Sequence, residues 1–431
     1  MPDILIDLCS SSTEFYARLT AIFIDAWIAS TKILLEPKNW QNLQELENKW
    51  LSGCRKIFES GLKEEQFVNS LSNALDCYSK LAQTTGIGQW YQNVSNLSSF
   101  WNNYFIEPLR DFLWRTPSQK IHSEGNFALF HYDNIVEKLQ DRAPVLVVYA
   151  FINRHYILDL LPEVSIIRSL LSTGLDLFGV DWGTPSTYDK DLTLTHYVNN
   201  YMDKSIDRIR EFTGSDKVSI FGYCWGGNLA LIYAAQHPEK VKSVITLATP
   251  GDFNLDNSLL SLWTKKLNPD SLVNTFGNVP SFILNAAFAI RSPLDYMHKY
   301  PHFFERPRDI KSIAEFFATE IWLYDSPPVI GEIYREYVRD FYQNNLMIKS
   351  KLLLDKGNEI NLKNITAPYL NILATKDDLV APDSSSALNE AVGSREKDLI
   401  KFNSGHVGAC ISAEAHKDLW PKVGDWIKKY S

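Results

Sequence analysis

Residues 218–227 read VSIFGYCWGG, followed by NLALIYAAQH. The pattern is an apolar strand, then Gly-x-Cys-x-Gly-Gly, then a helix. A strand that turns at once into a helix around a reactive residue is the layout of a nucleophile elbow. Such a turn is tight, so small residues must flank the nucleophile, here Gly222 and Gly226. Gly227 would let the helix approach the strand. Cys224 would then stand above the sheet edge at the positive end of a helix dipole, which favours the thiolate. The backbone N–H of Trp225 would face a substrate carbonyl as an oxyanion donor. A Cys in a Gly-rich turn can equally be a small apolar residue, so its partners decide.

A thiolate at an elbow needs a base and an acid to orient it. The apolar run Tyr369 to Ala374 leads into Asp377-Asp378-Leu379-Val380, and Asp398 to Phe402 leads into Ser404-Gly405-His406. Nucleophile, acid, His is the chain order of α/β-hydrolases. Asp377 is preferred to its neighbour Asp378 because its spacing to Val380 is the usual placement of the acid. A second oxyanion donor is expected from Ile152, on the loop after the early strand Val145 to Tyr149. Phe151 and Asn153 on that loop are candidates for substrate contact. His155 follows and reads as a structural His or as a pocket residue. Cys410, just past His406, reads as a structural thiol, as do Cys9, Cys54 and Cys77. His298 and His302 are four apart, but with no third ligand and a helix-breaking PHFFERP around them no metal site is expected.

These residues require a particular frame. From about Thr116, short β-branched runs alternate with helical stretches, the mark of a parallel α/β sheet. Strands are expected over Phe127 to Tyr132, Leu175 to Asp181, Val218 to Gly222 and Ser243 to Thr249. Helices are expected over Pro162 to Thr173, Leu194 to Thr213 and Ala413 to Lys429. Residues 251 to about 345 interrupt the alternation with a Leu-, Phe-, Trp- and Tyr-rich stretch broken by prolines, which reads as a cap over the site. Residues 1–115 read as all-helical. The expected organisation is therefore 1–115 helical and 116–431 catalytic, an α/β-hydrolase fold with a cap at about 251–345.

Composition narrows the function classes. The 431 residues suggest two or three domains at ~150 each, or one large domain with insertions. Forty-three basic against 51 acidic residues give a net charge of −8, which disfavours a nucleic-acid partner. Five scattered cysteines without a CxxC spacing imply neither a zinc cage nor a disulfide framework, so reduced thiols in a cytoplasmic protein are expected. The N-terminus has acids where a signal peptide needs basic residues, and the longest apolar runs are interrupted, so no transmembrane helix is expected.

With these residues placed, the chain resembles the polyhydroxyalkanoate synthases from roughly Thr116 to Ser431. The matching stretches include PVLVVYAFINRHYILDL, FGYCWGGNLALIYAA, DSPPVIGEIYREYVRDFYQNN, NITAPYLNILATKDDLVAP and NSGHVG. The third lies in the cap, and generic hydrolases lack that stretch. The short region before the sheet is most like the class III branch. The resemblance implies polymerisation of 3-hydroxyacyl-CoA into polyester with release of CoA, through an acyl group on Cys224. His406 would act as base and Asp377 as its orienting partner. No cofactor is implied, since the CoA thioester is the substrate. A homodimer at a polyester granule surface is implied, and a second, helical subunit is left open. The family often has His directly after the catalytic Asp, where this chain has Asp378. The competing expectation is a thioesterase or polyester depolymerase of the same fold.

Overall fold

The computed structural model describes residues 116–136, 143–256, 258–291, 310–355 and 358–430. The helical reading of 1–115, and the pair His298 and His302, lie outside them.

The strands are β1 (Ser118–Glu124), β2 (Phe127–Tyr132), β3 (Val145–Val148), β4 (Asp159–Leu161), β5 (Val164–Ser165), β6 (Leu177–Asp181), β7 (Val218–Tyr223), β8 (Val241–Leu247), β9 (Leu352–Asp355), β10 (Asn358–Ile360), β11 (Tyr369–Ala374) and β12 (Lys397–Phe402). Eight of them form one sheet in the order β1-β2-β6-β3-β7-β8-β11-β12. The strands from β6 to β12 run parallel, whereas β2 is antiparallel to both β1 and β6. The sheet is thus mixed rather than wholly parallel. Its central strands are buried on both faces, which explains their unbroken apolar runs. Neighbouring residues point to opposite cores: Val244 packs on one face and Ile245 on the other. The outer strand β12 exposes Lys397 and Lys401, charges that suit an unpaired edge.

Several elements depart from the sequence expectation. The helix expected over Pro162 to Thr173 begins only at Ile166, because the preceding residues form the β4–β5 hairpin. Ser165 caps it by accepting from Arg168 N–H at 2.9 Å. The long helix from Leu194 contains a π-helical turn, Tyr197–Met202, before Asp203–Thr213. The C-terminal helix runs as expected from Ala413 to Tyr430, with a π turn at Ala415–Leu419 inside it. Strand β1 and the β9–β10 hairpin were not anticipated.

The helix after β7, Trp225–Gln236, is buried from Gly226 to Ala235, so it is apolar all round. Between β8 and β11 lie the helices Leu259–Thr264, Pro269–Phe276, Ser281–Arg291, Ile310–Tyr324 and Gly331–Glu336, then the π turn Tyr337–Gln343. Paired backbone bonds between Val279 and Val329 close this segment on itself, at 2.7 and 2.9 Å.

Candidate active site

Strand β7 ends in the turn that carries Cys224. The residue has φ 54° and ψ −124°, a region that L-residues avoid. Such strain persists only where the surroundings hold it, at roughly 1–3 kcal/mol. Here Cys224 N–H donates to Leu247 O at 2.8 Å and Cys224 O accepts from Gly227 N–H at 2.9 Å. The glycines are required by contact. A Cβ on Gly222 would strike the backbone of Gly226 and Gly227, and one on Gly226 the backbone of Val148 and Tyr149. One on Gly227 would strike the Thr249 side chain. The close approach of Gly227 is therefore to Thr249 as well as to β7.

The acid and the His leave the sheet side by side. Ala374 pairs with Phe402 across β11 and β12. Beyond them Thr375 N–H donates to Phe402 O at 2.8 Å and Lys376 N–H to Ser404 O at 2.9 Å, so the two loops are laced together. His406 Nδ1 then meets Asp377 Oδ2 at 2.7 Å. Asp377 Oδ1 accepts from Leu379 and Val380 N–H at 2.9 and 2.8 Å. Cys224 is close enough to act on the His406 ring, and with Nδ1 engaged by Asp377 the nitrogen left for it is Nε2. Cys224, Asp377 and His406 are 7%, 7% and 8% exposed. Burial pulls the His406 pKa down, but the charges of Asp377 and Cys224, and hydrogen bonds to both, lift it to about 10. Asp378 is exposed.

The candidate oxyanion donors stand beside this group. Trp225 opens its helix, so its N–H has no intrahelical acceptor. Val148 pairs with Gly222, so the loop holding Phe151, Ile152 and Asn153 leaves the same sheet edge next to Cys224. The Phe151 ring lies 4.9 Å from the Trp225 ring. Asn153 Oδ1 accepts from Ser326 Oγ of the cap at 2.7 Å. His155 sits against Asp181 at 3.4 Å, a salt bridge beneath the loop. Burial would raise the Asp181 pKa, but His155, the Gly183 N–H and Arg154 hold it well below the usual carboxylate range. Burial pushes the Cys410 thiol up, despite a hydrogen bond to Tyr223, so it stays protonated.

Sequence reasoning missed the roof of the site. The π turn Tyr337–Gln343 sits over the elbow, with Tyr337 stacked on Trp225 and on Phe341. Tyr337 OH donates to Asn228 Oδ1 at 2.6 Å, and Asn228 Nδ2 donates to Pro250 O at 2.7 Å. The signal was present in DSPPVIGEIYREYVRDFYQNN, but no periodicity says which ring faces the Cys. Among the described residues no cluster of His, Cys, Asp and Glu could hold a metal ion, and no helix is long and apolar enough to cross a membrane.

Two family models match the chain. The alpha/beta hydrolase fold model covers residues 143–409, and a poly-beta-hydroxybutyrate polymerase N-terminus model covers residues 112–170. A poly(3-hydroxyalkanoate) polymerase subunit of Allochromatium vinosum is 38% identical over 73% of this chain and 89% of its own length. One of Thiocystis violacea is 36% identical over 82% and 98%. A solved protein of Sulfolobus solfataricus aligns at TM-score 0.50 and 13% identity, over 73% of this chain and 93% of that one, which shows the fold alone.

Proposed function

The chain belongs to the poly(3-hydroxyalkanoate) polymerase family, and from that premise we propose that it joins the acyl units of 3-hydroxyacyl-CoA thioesters into polyester through an acyl group on Cys224. Cys224 Sγ attacks the thioester carbonyl, the tetrahedral oxyanion is held by the N–H groups of Trp225 and Ile152, and the C–S bond to CoA breaks. The His406 imidazolium gives its Nε2 proton to the departing CoA thiolate. His406 then takes a proton from a 3-hydroxyl, whose oxygen attacks the Cys224 thioester and expels the thiolate again. Asp377 keeps Nδ1 protonated, so Nε2 is the nitrogen that moves the proton. A thiol suits this exchange. It trades with a thioester at little cost in free energy and leaves readily when an alkoxide attacks.

The observation that carries the reading is the strained elbow at Cys224 beside the hydrogen-bonded pair His406 and Asp377, under an aromatic roof that limits water. The proposal includes a helical region at 1–115, a catalytic region at 116–431 with its cap at about 251–345, Phe151 and Asn153 near the substrate, no cofactor, and a homodimer at a cytoplasmic granule surface.

The test is incubation with 3-hydroxybutyryl-CoA beside the Cys224→Ala variant. Insoluble polyester with CoA release, both lost in the variant, is the expected result. Free 3-hydroxybutyrate without polymer would make the protein a thioesterase. If CoA release survives in the variant, the site assignment is wrong. No release in the wild type sends the assay to longer hydroxyacyl-CoAs and a helical partner subunit.

A further inference from the structure

The loop that supplies Ile152 is pinned from two sides. On the sheet side, Trp182 Nε1 donates to Tyr149 O at 2.7 Å. On the other side three anchors come from one short stretch of the cap. Trp322 Nε1 donates to Arg154 O at 2.8 Å, and Ser326 Oγ donates to Asn153 Oδ1 at 2.7 Å. Between them Asp325 reaches down. Its Oδ2 accepts from Tyr156 OH at 3.0 Å and its Oδ1 faces Arg154 Nε at 3.4 Å. Arg154 in turn donates to Gly183 O at 3.1 Å and Thr184 Oγ1 at 2.8 Å. The Asp325 and Arg154 side chains are 3% and 13% exposed. A buried carboxylate is tolerated only while its partners are in place, so this contact holds the cap and the loop in one arrangement.

We propose that Asp325 is a positioning residue that makes the oxyanion loop depend on the seated cap. The contact is polar and spans the cap and the catalytic sheet, whereas cap packing alone would need only apolar area. When the cap lifts, Tyr156 loses the Asp325 carboxylate and Arg154 keeps only Gly183 O and Thr184 Oγ1, so the backbone N–H of Ile152 is held toward Cys224 less firmly. Thioester attack is then slowed. This rests on the acyl-Cys224 reading above.

Two reactions of Cys224 separate this role from a merely structural one. Release of CoA from 3-hydroxybutyryl-CoA passes through an oxyanion, whereas alkylation by iodoacetamide displaces iodide at a saturated carbon and needs no oxyanion donor. In Asp325→Ala, CoA release should fall by about 10²-fold, as for loss of one oxyanion donor. Alkylation should stay within about threefold of wild type, or quicken as the cap opens. Tyr156→Phe, which keeps the ring and removes one donor, should show the same split to a smaller degree, and it carries the test if the Ala variant does not fold. Equal losses in both reactions would overturn the proposal, because Asp325 would then support the whole site. No loss in either would overturn it as well. The fate of the released acyl group, polymer or free acid, tests the polymerase reading separately, since a thioesterase would need the same loop.

Discussion

Replacing Asp377 by Asn should do more damage than replacing it by Ala, and the backbone around the carboxylate says why. Oδ1 accepts from both Leu379 and Val380 N–H, while Oδ2 faces His406 Nδ1. In the Asn variant those two amides need an acceptor, so the amide oxygen takes the Oδ1 place. The NH₂ group is then forced against Nδ1. A donor there makes Nδ1 an acceptor and puts the ring proton on Nε2, the nitrogen that must take a proton from a hydroxyl. The loss for an enforced wrong tautomer is about 10⁴-fold. The lost charge acts as well. At ~4 Å and an effective dielectric of ~20, a unit charge is worth about 4 kcal/mol, or about three pKa units. The His406 pKa should fall from about 10 toward about 7. The sign is plain. A raised His pKa adds stability below its usual 6.5, and that contribution fades as pH climbs through about 10. Histidine-selective NMR titration would read the pKa, and CoA release at neutral pH the activity. An Asn variant within tenfold of wild type, or faster than the Ala variant, would refute this account of Asp377.

Two other perturbations follow from the packing and the charges around the site. Gly227→Ala drives a Cβ into the Thr249 side chain, and Gly226→Ala drives one into the Val148 carbonyl. Each should cost about 1–3 kcal/mol, and thermal melts should show Thr249→Gly restoring the first but not the second. Burial raises the Glu336 pKa to about 7 against the Leu194 N–H, aided by Glu332 and Asp340. The unfolded chain therefore ionises first, and stability falls as pH rises from about 4.5 to about 7. Glu336→Gln should be near neutral at pH 4 and stabilising by about 2 kcal/mol above pH 7. Urea titrations at both pH values would show it, and an equal effect at both would exclude the mechanism.

Much of the chemistry was legible in the order of residues. Gly222, Gly226 and Gly227 mark a turn in which a Cβ would meet backbone or a neighbouring side chain, so the elbow writes itself into a few adjacent letters. The runs 218–222 and 369–374 sit on buried central strands, and such strands must be apolar throughout. Asp377 could be placed because it follows such a run, and His406 because it follows the edge strand β12 that pairs with that run. The misread hairpin at 159–165 shows where that reasoning ends. It depends on Asp159 accepting from Ser165 and Thr116, and a period of apolar residues does not report that contact.

The chain alone determined the residue types and the order of Cys224, Asp377 and His406, and it showed the tight turn at Gly222, which depends on contacts with Gly226 and Gly227 close by in the chain. Which ring roofs Cys224, and which carboxylate holds the oxyanion loop, were decided only by the tertiary structure. Tyr337 reaches Asn228 across 109 positions, and Asp325 reaches Arg154 across 171. Hydrophobic periodicity records which face of a segment is buried, not which distant segment buries it.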